Sequence, residues 1–512
     1  MTAGHSEHEA KEIELKLEFA PADAPCILSH PIIQASQAAP VTRELISVYY
    51  DTGDDVLRKA GVFLRVRATG DGYVQTIKTA RGEAEFLERD EWEQPIPSHQ
   101  PVLEAAEGTA LAPLLTADVR ARLAPRFHTR FRRQTYWVRR DATEIELAID
   151  QGEVTAGVDA TPISELELEL KAGDKRELFQ LARELAETVP LYLAIKTKAE
   201  RGFELIDGGD FSVEKSSDVD IGPGMTCADG FRAIARNCLR QIVANTPAVR
   251  AGRPEALHQM RIGLRRLRAG LWLFAGVVAD EDREYIEGEL RWITQELGPA
   301  RDLDVFAADV LEPLRAASPD DPEIAAAHRD FIQHHTAAYD RATGAVGSHR
   351  FRKLLLDLAA WIEIGAWAAH GTPRQAAPVD GAVTAYAAKQ LSKLRRTIKK
   401  KGRGLREASP PERHKVRIRA KRLRYATEFF TKTFPGKKSD RRREKSLAAL
   451  EDLQDALGVL NDIAIRRTQP EAGEGFAFMH PHGDDAAEES KQLKAAKAAF
   501  DRFAKVKAFW KA

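Results

Sequence analysis

The 512-residue sequence predicts a multidomain α+β chain. Its first part reads as mostly antiparallel sheet, a closed barrel with two or three helices, and its second as an all-α domain of two pseudo-symmetric helical bundles. Three observations carry this. Charged and apolar residues alternate with period two through much of the first part; the period becomes helical beyond it; and a basic segment of the helical part occurs twice. The formal net charge of zero conceals a further division, because residues 1–210 hold 25 Lys and Arg against 37 Asp and Glu, while 211–512 hold 52 against 40. The balances are −12 and +12. An acidic part suits cations and a basic part suits an anionic partner.

Length alone predicts about two to four domains. No stretch is long and apolar enough to span a membrane, and the first residues, with Glu7, Glu9 and Glu12, lack the basic-then-apolar layout of a signal peptide. A cytoplasmic protein is expected. Cys26, Cys227 and Cys238 have no metal-ligand spacing and read as free thiols.

The stretch Lys11-Glu-Ile-Glu-Leu-Lys-Leu-Glu-Phe19 organises the first part. As a strand it turns Glu12, Glu14 and Lys16 to one face and Ile13, Leu15 and Leu17 to the other. By itself such a face is the wet side of a sheet, but the design returns with Arg65 and Arg67 in Leu64-Arg-Val-Arg67, and with Glu165, Glu167 and Glu169 in Glu165-Leu-Glu-Leu-Glu-Leu170. Acid-rich strands facing basic ones make a site for a hard cation and a polyanion together.

Thr42 to Gly53 reads as a strand ending in Tyr-Tyr-Asp-Thr-Gly, and Val56 to Arg67 as a short helix, a turn at Gly61 and a strand. Asp71-Gly72 is a hairpin turn, and Tyr73 to Thr79 its return strand with Lys78. The Arg89-Asp-Glu-Trp-Glu93 block follows, closed by Pro95 and Pro97. Leu103 to Leu123 reads as helical; Phe127 to Arg139, Glu144 to Asp150 and Ile163 to Leu170 as strands; Lys175 to Val189 as an amphipathic helix. In Leu193 to Phe203, Lys196 and Lys198 alternate with apolar or small residues. Mixed-charge faces on many strands fit a barrel with a polar interior.

In this order the motifs resemble the CYTH domain of the triphosphate tunnel metalloenzymes, over about residues 8–207. The resemblance implies an eight-stranded tunnel that binds a linear triphosphate and divalent cations, Mg2+ or Mn2+. It places Glu12, Glu14, Glu167 and Glu169 at acidic positions associated with metal and catalysis, with Asp150 and one or both of Glu91 and Glu93 beside them. It gives Lys16, Arg65, Arg67, Lys78, Arg133 and Lys198 to the phosphates, with Arg132 competing with Arg133 and Glu165 a supporting acid. Neutralised phosphate charge and a stabilised leaving diphosphate then allow in-line attack by water. No nucleophile arrangement argues for a covalent intermediate.

Ile206 to Gly224 reads as a linker, with domains expected at 1–207 and 223–512. Beyond it, His258-Gln-Met-Arg-Ile-Gly-Leu-Arg-Arg-Leu-Arg268 is answered by His414-Lys-Val-Arg-Ile-Arg-Ala-Lys-Arg-Leu-Arg424, and Leu297-Gly-Pro-Ala-Arg-Asp302 by Leu457-Gly-Val-Leu-Asn-Asp462. On a helix His258, Arg261, Arg265 and Arg268 share about 80° of circumference, as do His414, Arg417, Lys421 and Arg424. Arg240 and Arg396 extend the surface, and the run from Lys393 to Arg406 adds charge. A basic ridge is commonly a solvated face, but identical spacing in two copies argues for a ligand. This half resembles the CHAD domain, over about residues 223–512, which implies two helical bundles with a basic groove for inorganic polyphosphate. Gln469 to Asp485 reads as a loop.

The expected function is metal-dependent hydrolysis of inorganic triphosphate, with the helical half bringing the enzyme to polyphosphate, in granules or free, or sensing it. The alternatives are a thiamine triphosphatase, an adenylyl cyclase of the CYTH class, and a polyphosphate-binding scaffold with an inactive tunnel. His8-Glu-Ala-Lys differs from the His-Phe pair of the cyclases. Nucleic-acid binding is disfavoured because the ridges lack interleaved aromatics for base stacking.

Overall fold

The computed structural model describes residues 12–36, 39–70, 72–79, 88, 89, 91–209, 212–368, 379–468 and 485–511. The chain divides into two compact units, the first comprising residues up to 214 with 243–248 and 347–364, the second comprising the remainder.

Unit one is an antiparallel sheet built from β1 (Glu12–Glu18), β2 (Val41–Asp51), β3 (Val62–Thr69), β4 (Gly72–Thr79), β5 (Glu88–Arg89), β6 (Glu91–Ile96), β7 (Ala124–Arg140), β8 (Thr143–Ala156), β9 (Asp159–Ala172) and β10 (Tyr192–Leu193). The strands run β10-β1-β9-β8-β7-β2-β3-β4-β6, and β5 pairs with β1 off that path. This differs from the expected eight-stranded closed tunnel. The two-residue β10 is added, β5 and β6 share the place of one expected strand, and β5 reaches β1 only through Glu12 opposite Arg89 and Ile13 opposite Glu88.

Alternation decides which side is which. In β3, Leu64 and Val66 are buried with Ile77, Leu57, Leu111 and Val119 on the outer face, whereas Arg65 and Arg67 face inward. Burying each apolar side chain contributes about 1.5–3 kcal/mol, while buried charge pairs contribute about nothing net. The outer face therefore holds the sheet together, and the charged inner face is tolerated.

Three expectations are corrected in detail. Leu103 to Leu123 is not one helix: it breaks into turns at Leu103–Ala106 and Ala112–Leu114 and a helix at Ala117–Arg122, because Gly108 adopts φ +79° and Pro113 removes a donor. Lys198 is not on a strand but opens the helix Lys198–Ile206, capped by Thr197 and Glu200 in a capping box. The Tyr-Tyr-Asp-Thr motif has a structural task, since Asp51 accepts from the backbone N–H groups of Thr52 at 2.7 Å, Leu57 at 2.9 Å and Arg58 at 2.9 Å. It fixes the helix Val56–Lys59. Asp71, Asp90 and Gln469 to Asp484, each part of a sequence expectation, lie outside the described residues.

The helix Lys198–Ile206 closes an aromatic cluster inside the sheet. Tyr49 stacks on Phe127 at 4.6 Å, and Phe203 meets Phe127 edge-on at 5.1 Å. Outside, the helix Lys175–Ala186 packs on β9 and on His349–Ile364, with Arg183 Nε donating to Asp357 at 2.8 Å.

Unit two is helical, and the sequence repeat appears as paired helices. Cys227–Arg250 and Pro254–Leu273 correspond to Val383–Lys401 and Pro410–Phe429. Downstream the copies diverge for a local reason. Pro299 separates Asp282–Glu296 from Gly298–Phe306, while Val459 at the matching place lets Lys437–Thr468 continue unbroken. The segment after unit one has no regular structure, yet Val219 and Ile221 are buried, and Arg266 donates to the Ser217 carbonyl at 2.9 Å.

A Cβ on Gly202 would lie 2.1 Å from Phe127 Cε2. Gly202→Ala gains about 1 kcal/mol of helix propensity but loses about 1–3 kcal/mol to overpacking. Net destabilisation is expected in urea unfolding; a more stable variant would show that the ring yields.

Candidate functional site

Strand register brings the inward-facing charges together. Glu18 pairs with Glu165, Lys16 with Glu167 and Glu14 with Glu169 across β1 and β9. Across β8, Asp150 lies beside Glu165 and Glu146 beside Glu169, and Arg133 of β7 faces Asp150. This resolves the choice between adjacent arginines. Arg133 donates to both Asp150 oxygens at 2.7 Å and also contacts Glu167, whereas Arg132 points to the other face and is exposed.

Asp150, Glu165 and Glu167 form a buried triad whose ligand oxygens lie within 4.8 Å of one another. Asp150 and Glu165 are 0% exposed. Lys198 binds all three, at 2.8, 2.6 and 2.9 Å, and Lys16 reaches Glu167 at 2.8 Å and Glu165 at 3.4 Å. Arg201 approaches Glu165 at 3.4 Å, but Glu165 Oε1 accepts no hydrogen bond among the described residues. Burial pushes the Glu165 carboxyl up, and Lys16, Lys198 and Arg201 override it, bringing it down to about 2. Glu167 is likewise held well below the carboxylate range, burial being overcome by Lys16, Lys198 and Arg133. The same acids raise Lys198, against burial.

One row along, Glu169 behaves oppositely. Burial raises its carboxyl, and Glu146 and Glu14 raise it further against a bond from Lys171 at 2.5 Å. Three carboxylates, Glu14, Glu146 and Glu169, share this row, and oxygen donors of this kind fit a hard divalent ion. The side chain of Glu12, the remaining acid of that strand, lies outside the described residues.

A cationic wall stands on β3 and β4. Arg65 donates to Thr76 Oγ1 at 3.1 Å and Glu93 at 3.4 Å, and lies 3.7 Å from Glu91. Lys78 contacts Glu91 at 2.5 Å. Glu91 and Glu93 thus pair with the cations of this wall. Arg67 differs: its Nε donates to Ser47 Oγ at 3.3 Å, and among the described residues it has no ion pair. Burial first, and then Arg65, push its guanidinium down to about 10. A half-buried cation beside other cations is a costly arrangement that an anion relieves.

Glu146, Arg201, Ser47 and Thr76 were missed in the sequence. Alternation through Glu144-Ile-Glu146-Leu-Ala-Ile-Asp150 puts Glu146 on the face of Asp150, and Arg201 is one helical turn after Lys198. Ser47 and Thr76 carry no charge and gave no signal.

In unit two the ridges of the repeat lie on adjoining helices, Pro254–Leu273 and Pro410–Phe429. Lys421 is pushed down to about 8 by burial, then by Arg417, Arg265 and Arg424, so cations of both copies act on it. Among the described residues Arg261, Arg265, Arg268, Arg301, Arg417 and Lys421 have no ion pair. The repeated glycines make room for two of them, because Gly298 lies 3.5 Å from Arg261 and Gly458 3.3 Å from Arg417, measured from an added Cβ. Arg424 is engaged by Glu428 at 3.1 Å. The histidines are unlike: His414 Nδ1 lies 2.8 Å from Asn461 Oδ1, whereas His258 is lowered by burial and by Arg301, which occupies the matching place. Arg240 is half-buried in Cys227–Arg250, and Arg396 lines a separate cavity with Arg403 and Lys511.

Residues 10–203 match the family model of the CYTH domain, and 233–469 that of the CHAD domain. An inorganic triphosphatase of Haemophilus influenzae is 32% identical over 200 residues, 38% of this chain and 55% of that protein. The chain thus spans about half the length of this relative. Among solved structures, the CHAD domain of Ricinus communis is 28% identical, covering 57% of this chain and 97% of its own at a TM-score of 0.46. A Hippeastrum adenylyl cyclase candidate with a dominant triphosphatase activity is 18% identical, covering 38% of this chain and 95% of its own at a TM-score of 0.28.

Lys198→Met leaves three buried carboxylates short of a cation and is expected to cost about 3–5 kcal/mol in denaturant unfolding. Adding Glu165→Gln should recover part of that loss, and additive losses would refute the coupling. The lowered carboxyls contribute stability that is complete above their ordinary value of 4.5 and is lost as the pH falls toward about 2. Glu165→Gln should flatten that acid limb.

Proposed function

We propose that this chain, which contains a CYTH domain followed by a CHAD domain, is a metal-dependent inorganic triphosphatase. It converts tripolyphosphate to diphosphate and phosphate and binds inorganic polyphosphate along its two histidine-bearing ridges. The observation that carries the reading is Arg67, half-buried without an ion pair among the described residues and lowered by desolvation first and then by Arg65. An anion with several charged oxygens would meet it together with Arg65 and Lys78, which Glu93 and Glu91 hold beside it.

The reading assigns Arg65, Arg67 and Lys78 to the phosphate oxygens, with Lys16, Arg133 and Lys198 positioned by the triad to take the charge that develops on the leaving diphosphate. The Asp150 triad already holds these cations, so the acids of the next row, Glu14, Glu169 and Glu146, are with Glu12 the proposed holders of Mg2+ or Mn2+. The ion would neutralise phosphate oxygens and acidify the attacking water. Water attacks the terminal phosphorus, the bridging P–O bond breaks, and the electron pair leaves with diphosphate.

Phosphate release from tripolyphosphate with Mg2+ or Mn2+ tests this. Glu14→Ala is expected to lose about 10²-fold or more in kcat, and Arg67→Met to raise KM, with partial rescue by Arg67→Lys. No release from folded wild type that still binds polyphosphate would leave a scaffold. For the ridges, Lys421 loses its charge as pH rises through about 8, so polyphosphate affinity should fall between about pH 7 and 9. Lys421→Arg, which stays charged, should remove that fall; an unchanged profile would place the dependence elsewhere.

A further inference from the structure

A cavity of about 420 Å3 opens beside the helix Val383–Lys401, away from the histidine helices, none of whose residues line it. One face of that helix supplies Arg395, Arg396, Lys399 and Lys400, followed by Arg403, and the opposite side supplies Lys511 and Trp510. No carboxylate lines it among the described residues. Two of its cations are fastened: Arg395 donates to the Ala504 carbonyl at 3.4 Å, and Lys399 to the same carbonyl at 3.0 Å. Trp510 forms the floor, with its Nε1 donating to Ser392 Oγ at 2.9 Å and its ring edge-on to Phe509 at 4.8 Å. Arg396, Lys400, Arg403 and Lys511 are exposed and have no ion pair among the described residues.

The duplication supplies a control within the chain. An offset of 156 sets Lys399-Lys-Lys-Gly-Arg-Gly404 against Val243-Ala-Asn-Thr-Pro-Ala248. In the first copy this stretch is apolar or neutral and mostly buried, and Asn245 there is bonded to the Glu214 carbonyl at 2.8 Å. The second copy has acquired charge at matching places. A face kept only for solvation would mix signs.

We propose that this cavity is a second, one-sided phosphate-binding site, taking the phosphate oxygens of a condensed phosphate, either a segment of a long chain or a short oligophosphate. The fixed Arg395 and Lys399 shape its wall, and the exposed Arg396, Lys400, Arg403 and Lys511 reach the oxygens. Trp510, at 9% exposure, offers no open ring to a nucleobase, so single-stranded nucleic acid is disfavoured. The proposal rests on the reading of the helical half as a polyphosphate binder.

The test is amine acylation of the full chain, read lysine by lysine by mass spectrometry, with long-chain polyphosphate, tripolyphosphate, inorganic phosphate or a single-stranded oligonucleotide. At a ligand concentration about ten times Kd, Lys400 and Lys511 should react about tenfold more slowly. Arg403→Glu, on an exposed side chain, should abolish that protection at an unchanged Tm while Lys421 remains protected. Protection by the polymer alone identifies a chain segment, and equal protection by tripolyphosphate a short oligophosphate. Protection of Lys421 without Lys400 and Lys511 overturns the cavity and leaves the ridges standing. Protection of none of the three overturns both, and equal or stronger protection by the oligonucleotide, or by inorganic phosphate, overturns the ligand class.

Discussion

The contact of Lys198 with Asp150, Glu165 and Glu167 is the constraint around which unit one is arranged. Three carboxylates cannot be ionised at full burial without cations among them, and desolvation would otherwise neutralise them. Lys198 is held in place by a capped helix start and by the aromatic cluster of Tyr49, Phe127 and Phe203. Apolar packing thus positions an ammonium, the ammonium keeps acids charged, and the acids in turn hold Lys16 and Arg133 where a polyanion can meet them. The apolar cluster around Leu64, Val66 and Ile77 lies on the outer face, while the inner face combines the aromatic cluster with the charges it positions.

Much of this was legible in the sequence because a strand has a period of two and a charge on one face cannot hide. The ELELEL row, the paired arginines of β3 and the basic ridges all follow from spacing. What spacing could not reveal was partnership. Strand register sets Glu91 and Glu93, expected beside the metal acids, opposite Lys78 and Thr76, a partnership that spacing alone does not give. Glu165 looked like a supporting member and is at the centre of the triad. Asp51 marked a motif and proved to be a capping group. Lys198 looked extended because alternation over a few residues cannot be told from the start of a helix.

The helical unit shows how a duplicated sequence becomes two unequal sites. The ridges keep their spacing, yet Arg301 and Asn461 give the two histidines different neighbours, and Pro299 and Val459 give the copies different helix lengths. Repetition fixes geometry at the positions that share a groove. Elsewhere each copy is free to drift.

The two copies also hold each other. Arg266 lies over the Phe429 ring at 5.7 Å, and its counterpart Arg422 over the Trp272 ring at 4.2 Å. Each half lends a guanidinium to an aromatic ring of its sibling, as in an exchange of arms between subunits of a dimer. The two rings are not at matching places, since Phe429 answers to Leu273 and Trp272 to Glu428, so the exchange is reciprocal in its cations only. Because both copies lie in one chain, this docking is intramolecular and does not depend on protein concentration.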